Sequence, residues 1–171
     1  HENCGAGFIC SLRGEKTHDI IHKALEILVK LTHRGAVSAD AKTGDGAGLL
    51  IDIPHDYFKE TCKDFNLPDF GEYACGMVFL PNDEKQRKQC VSTLDAAVKE
   101  QGLEILGWRE VPVDHEVCGR IAAETEPHMM QVFIGKGGQD LKELDFKIKL
   151  YIARKYAERQ IRESDFSEKS Y

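Results

Sequence analysis

The chain is 171 residues long, with 23 Lys and Arg against 29 Asp and Glu, a formal charge of −6 that argues against a surface built for nucleic-acid phosphates. Its 42% hydrophobic and 30% charged residues exclude a disordered or fibrous chain, and its length suits one domain or part of one. No apolar run approaches the roughly 20 residues of a membrane helix, and the cysteines at 4, 10, 62, 75, 90 and 118 include no CxxC pair, which speaks against a zinc knuckle or disulfide scaffold and for reduced thiols in a cytoplasm.

From Cys4 to Cys10 glycines mix with β-formers before the break at Arg13-Gly14, which predicts a strand over 5–12. Ile21, Leu25, Leu28 and Val29/Leu31 recur at helical spacing behind Thr17, a candidate N-cap, so a helix is expected from Thr17 to His33. It should end at Gly35 in the left-handed cap conformation. Residues 35–48 hold glycine, alanine and polar groups without either period, and read as a loop where backbone approaches something closely. Leu49–Ile53 reads as a buried strand ended by Pro54, and His55–Phe65 as a short helix with Tyr57, Phe58, Thr61 and Phe65 inward.

Tyr73–Leu80 is strand-like, and Asp83 caps a helix to about Gln101 whose apolar positions are Cys90, Leu94, Ala97 and Val98. Leu103–Val113 reads as a strand carrying Trp108, a large apolar surface to bury. A short helical turn falls around Val117–Ala123, and a strand over His128–Ile134. After the turn at Gly135-Lys136-Gly137-Gly138 comes a long helix, Leu141–Ile161, with Leu144, Ile148, Tyr151, Ile152 and Ile161 on its apolar side. Strands and helices mixed in one core predict an α+β layered architecture.

Gly44, Gly46 and Gly48 around Asp45 offer successive N–H groups that an anion nest would use, but GxGxG without a GK[ST] ending, and without a strand-GxGxxG-helix unit, is weak for a nucleotide. A structural loop is the plainer reading. Cys10, Cys62, Cys75, Cys90 and Cys118 have no metal-like spacing and read as small hydrophobes. No metal site is expected.

Three segments in order carry a resemblance: Cys4-Gly5-Ala6-Gly7-Phe8-Ile9; His33-Arg34-Gly35-Ala36 with Ala39-Asp40 and Lys42-Thr43-Gly44-Asp45-Gly46-Ala47-Gly48; and Gly107-Trp108-Arg109 with Val111-Pro112-Val113 and Gln131-Val132-Phe133-Ile134. Together they resemble the amino-terminal part of the glutamine amidotransferase domain of glutamate synthase large subunits, a class II amidotransferase. The resemblance covers residues 4–171, leaving 1–3 as a leader remnant, and the family's domain runs to about twice that length. It implies an N-terminal-nucleophile fold, a four-layer α/β/β/α sandwich present here incompletely. It also implies release of ammonia from glutamine, passed to a synthase region that makes glutamate from 2-oxoglutarate. FMN and an iron–sulfur cluster would belong to the parent enzyme, with no cofactor in this segment. Partners implied are the rest of the synthase chain and an electron-transfer subunit or ferredoxin.

By that resemblance Cys4 is the catalytic nucleophile, and Arg34, Gly35, Asp45 and Gly46 shape the active site. An N-terminal cysteine suits amide hydrolysis because its own α-amino group, of pKa about 7.7 to 8.0, takes the thiol proton and returns one to ammonia. While His1-Glu2-Asn3 precede it, that nitrogen is an amide without a basic lone pair. Loss of residues 1–3 is therefore expected to precede activity. A guanidinium at Arg34 would hold carbonyls or a carboxylate through its fork, whereas His33 reads as a helix-capping or packed histidine and not as a catalytic base. The family's oxyanion donors lie in a His-Asn-Gly segment that does not occur here, and each missing donor costs about 2.7 to 4 kcal/mol of transition-state stabilisation. The isolated chain is expected to hydrolyse glutamine poorly and to expose unpaired sheet edges. Rival readings are a non-catalytic scaffold that never frees Cys4 and a different N-terminal-nucleophile hydrolase.

Overall fold

The computed structural model describes residues 5–40 and 42–164. They fall into two compact units: residues 5–52 with Asp114–Glu126, and residues 53–113 with 127–164.

The second unit holds the hydrophobic core. Its strands are β1 (Tyr73–Leu80), β2 (Glu104–Glu110) and β3 (His128–Gly135), antiparallel in the order β1-β3-β2. Its helices are α2 (His55–Thr61), α3 (Glu84–Glu100) and α5 (Glu143–Arg162). Side-chain alternation along the strands splits the core into two faces. Ala74 and Val78 of β1 and Val132 and Ile134 of β3 meet Leu94 and Val98 of α3 and Phe146, Leu150 and Ala153 of α5. On the other face Tyr73, Cys75 and Phe133 meet Phe58, Cys62 and Phe65, with the fully buried Phe133 ring 4.9 Å from that of Phe58 in an edge-to-face contact. An extra residue at Leu106 shifts the β2–β3 register. That bulge is why Ile105 and Trp108, three apart, pack on the same helical face while Leu106 packs on the other.

The mixed α+β content, the strands at 73–80 and 128–134, and the helix capped by Asp83, which accepts from the Gln86 N–H at 2.9 Å, stand as the sequence predicts. So does the turn after β3, where Gly137 and Gly138 take φ of 64° and 74°, and a Cβ on Gly137 would fall 2.4 Å from the Gly102 carbonyl. Strand β2 is shorter than expected, stopping at Glu110, and α2 stops at Thr61 with Tyr57 half exposed and Cys62 buried in its place. Trp108 is only half buried, its indole N–H donating to Asp95 at 3.3 Å. In α5 the expected apolar side is wrong: Leu144, Ile148, Tyr151 and Ile152 are exposed, and Phe146, Ala153 and Ala157 are buried. Close approach of α5 to α3 and the sheet favours the stripe with small residues over the one with larger side chains.

In the first unit α1 (His18–Lys30) is followed by a 3₁₀ turn, Thr32–Arg34, and the second segment adds a 3₁₀ turn, His115–Val117, and α4 (Arg120–Glu124). Thr17 stands at the N-cap of α1 with extended backbone, but its side chain makes no capping bond. Ile21, Ile27, Leu28 and Leu31 are half buried, whereas Leu25 and Val29 are exposed. The expected strands over 5–12 and 49–53 are irregular, with Phe8, Leu12 and Leu50 at least 90% exposed. A strand needs a partner's N–H and C=O groups, and no ladder reaches either segment among the described residues. Gly35 is extended, at φ −87° and ψ 152°, and not in the left-handed region.

Candidate functional site

Cys4 lies outside the described residues. The segment that follows it runs over α1, since a Cβ on Gly7 would come within 2.6 Å of the Ile27 side chain. The end of α1 is closed by polar groups. The Thr32 hydroxyl donates to the Val29 carbonyl at 2.7 Å, and His33 Nδ1 sits 2.8 Å from the Lys30 carbonyl, geometry in which His33 satisfies a helix-end acceptor. Gly35 N–H then closes the 3₁₀ turn onto the Thr32 carbonyl at 3.1 Å, and the chain leaves extended.

Residues 36–45 form a small hairpin that the lack of periodicity concealed. Val37 and Gly44 make an antiparallel bridge, Ser38 N–H donates to the Thr43 carbonyl at 2.7 Å, and Asp45 N–H donates to the Ala36 carbonyl at 3.2 Å. The Asp45 carboxylate closes the base by accepting from the Ala36 N–H at 2.9 Å, and a Cβ on Gly35 would lie 3.8 Å from it. Gly35 and Asp45 are thus brought together, with the Arg34 backbone one residue before and Gly46 one residue after. Gly44 is confined, a Cβ there falling 3.2 Å from the Ala36 carbonyl, whereas Gly46 and Gly48 face open space. None of the three has positive φ, so the alternating backbone of an anion nest is not formed.

At the tip of the hairpin stands a group that sequence reading passed over. One Asp40 oxygen accepts from the Lys42 and Thr43 N–H groups at 3.1 and 2.8 Å. The other accepts from the Thr43 hydroxyl at 2.6 Å and from the Ile121 N–H, 81 residues away in sequence, at 3.1 Å. The Thr43 oxygen in turn accepts from the Ala122 N–H at 3.2 Å. Helix α4 has glycine at its N-cap and no capping side chain of its own, so its first N–H groups are satisfied by the distant hairpin. Gly119 is buried and has no room for a side chain, since a Cβ would fall 2.3 Å from the Thr43 hydroxyl oxygen and 2.7 Å from the Asp40 carboxylate. The Thr43 hydroxyl above all, then the N–H donors, hold the Asp40 carboxyl well below the usual carboxylate range. Asp-x-x-Thr is legible as a turn, but nothing local announces its partner at 119–122.

Two of the described cysteines are held as thiols. Burial pushes the Cys75 thiol up to about 11, helped by Cys62, and raises that of Cys90, so both stay protonated near neutral pH. Cys10 is exposed, against its reading as a small hydrophobe. Among the described residues no group of three or more His, Cys, Asp or Glu could hold a metal ion, and no helix is long and apolar enough to cross a membrane.

The family described as glutamine amidotransferases class-II matches residues 4–171. The chain belongs to that family. Its match begins on Cys4 and takes in the whole hairpin and its partner at 119–122. Among similar proteins, the glutamate synthase [NADPH] large chain of Bacillus subtilis is 44% identical over 92% of this chain and 10% of that protein. The glutamate synthase [NADH] of Saccharomyces cerevisiae is 38% identical over 94% and 8%, and the ferredoxin-dependent glutamate synthase 2 of Arabidopsis thaliana is 37% identical over 98% and 10%. The chain therefore spans about a tenth of the length of these relatives.

Proposed function

We propose that this chain is the nucleophile-bearing part of a glutamate synthase amidotransferase domain, releasing ammonia from glutamine. The observation that carries the reading is the class-II family match beginning on Cys4. Residues 1–3 are cleaved, which converts the Cys4 amide nitrogen to an amine. That amine takes the thiol proton as sulfur attacks the glutamine side-chain carbonyl, and returns it to the leaving nitrogen, giving ammonia and a thioester. Water then adds to the thioester carbon, and the thiolate leaves as glutamate is freed.

Arg34, Gly35, Asp45 and Gly46 shape the pocket for this attack. The support is that the Asp45 carboxylate accepts from the Ala36 N–H beside Gly35, fixing the backbone that follows Arg34. A four-layer α/β/β/α sandwich is the matching fold, supported by a sheet with helices α3 and α5 on one face.

The ammonia goes on to glutamate synthesis from 2-oxoglutarate in the rest of the synthase chain, fed by a small electron-transfer subunit or ferredoxin. The relatives are NADPH-, NADH- and ferredoxin-dependent by name, which supports an electron-consuming parent. The described residues do not supply the clustered cysteines that an iron–sulfur group requires, and no step here runs through that group or through FMN. Free thiols at the described cysteines suit a cytoplasmic setting.

The test is intact-mass analysis with the electrophilic glutamine analogue diazo-oxo-norleucine on the full-length protein. Stoichiometric labelling of Cys4 only after residues 1–3 are lost is the expected result. Labelling of the unprocessed chain at another cysteine, or full glutamine hydrolysis by Cys4→Ala, would overturn the reading.

A further inference from the structure

Among the described residues, the first unit contributes no hydrophobic residue to the buried core. Hydrogen bonds therefore carry much of what holds its hairpin in place, and a segment so held moves when one of its few contacts is lost. The base is closed by Asp45, and the tip by Asp40 and Thr43 against residues 119–122. These are separate clamps at opposite ends of the same short ladder.

We propose that Asp40 is a positioning residue for glutamine hydrolysis: its carboxylate, with the Thr43 hydroxyl, locks the 36–45 hairpin onto the 119–122 turn and so holds the Arg34-Gly35 bend where Cys4 chemistry requires it. The inference rests on the reading of Cys4 as nucleophile, and adds residues that reading does not use. Asparagine at 40 would keep the shape but not the chemistry. Both carboxylate oxygens face donors, so the amide NH₂ would meet N–H or O–H groups at whichever end it occupied. Gly119 serves the same contact from the other side, because any side chain there would force the two segments apart.

The experiment measures kcat and KM for glutamine hydrolysis in the full-length, processed protein, with active sites titrated by diazo-oxo-norleucine so that only folded molecules count. Asp40→Asn and Thr43→Val are each expected to lower kcat per titrated site at least tenfold while KM moves less than threefold. Thr43→Ser, which keeps the hydroxyl, should recover kcat to within about threefold. The double variant should be little worse than Asp40→Asn alone, since both break one contact. Values of kcat per titrated site within threefold of the parent in both single variants would overturn the proposal. So would a loss in Thr43→Val that Thr43→Ser does not recover. If Asp40→Asn fails to fold, Thr43→Val and Gly119→Ala decide by the same criteria. Loss of hydrolysis in Cys4→Ala is required independently, and its absence would sink the nucleophile reading whatever position 40 does.

Discussion

Two aspartates five residues apart in sequence do unlike work. Asp45 was legible as part of a glycine-rich loop carried by a family resemblance, and the structure gives it a concrete task, closing the hairpin through the Ala36 N–H. Asp40 stood in the same quoted segment but carried no assigned role, because its most distant partner, Ile121, is invisible to any local pattern. Its ionisation makes a prediction. A carboxyl whose folded pKa lies below the unfolded value stabilises the fold above the unfolded pKa and loses that contribution as pH falls through the folded one. The Thr43 and Ile121 amide resonances should therefore hold their positions through pH of about 3.9, where a free aspartate is half protonated, and shift only at lower pH. Movement of both with a midpoint near the free value would show that the contact does not persist in solution.

At the scale of elements, helical periodicity located α1, α3 and α5 but chose their inner faces unevenly. In α3 the apolar positions are few, so Cys90, Ala97 and Val98 had no competitors and are buried. Helix α5 carries two candidate stripes, and Leu144, Ile148, Tyr151 and Ile152 lost to Phe146, Ala153 and Ala157. The faces can be told apart by substitution. Ile148→Lys should change stability by less than about 0.5 kcal/mol, as an exposed site does, whereas Ala153→Leu should cost about 1 to 3 kcal/mol by overpacking the contact with the sheet. Urea unfolding followed by circular dichroism checks both, and the reverse order would restore the stripe that the sequence favoured. Strand β2 offers a parallel case: alternation predicts one face for Ile105, Gly107 and Arg109, and the bulge at Leu106 turns Trp108 inward with Ile105 instead.

Across the whole molecule, the buried hydrophobic residues among those described belong to residues 53–113 and 127–164. The sheet there is covered by α3 and α5 on one face, but on the other Met77 and Phe79 follow Tyr73 and Cys75 along β1 and are 49% and 64% exposed. Apolar side chains in a row near a sheet edge invite association. Replacing both by lysine should raise the monomeric fraction of the 171-residue chain in light scattering at matched concentration while leaving its unfolding midpoint within a few degrees. An unchanged aggregated fraction would place the association elsewhere.

The sequence by itself determined the α+β class, the order of most elements, the Asp83 cap and the glycine turn after β3, because capping, periodicity and left-handed backbone are settled within a few residues of chain. Through its motifs it also pointed to the family. Contacts between distant segments select which stripe of α5 is buried, leave 5–12 and 49–53 without a ladder among the described residues, and set the hairpin at 36–45 as the cap of a helix far along the chain. Each of these depends on groups distant in sequence meeting in space, and a free energy that arises at such a meeting leaves no trace in the residues on either side considered alone.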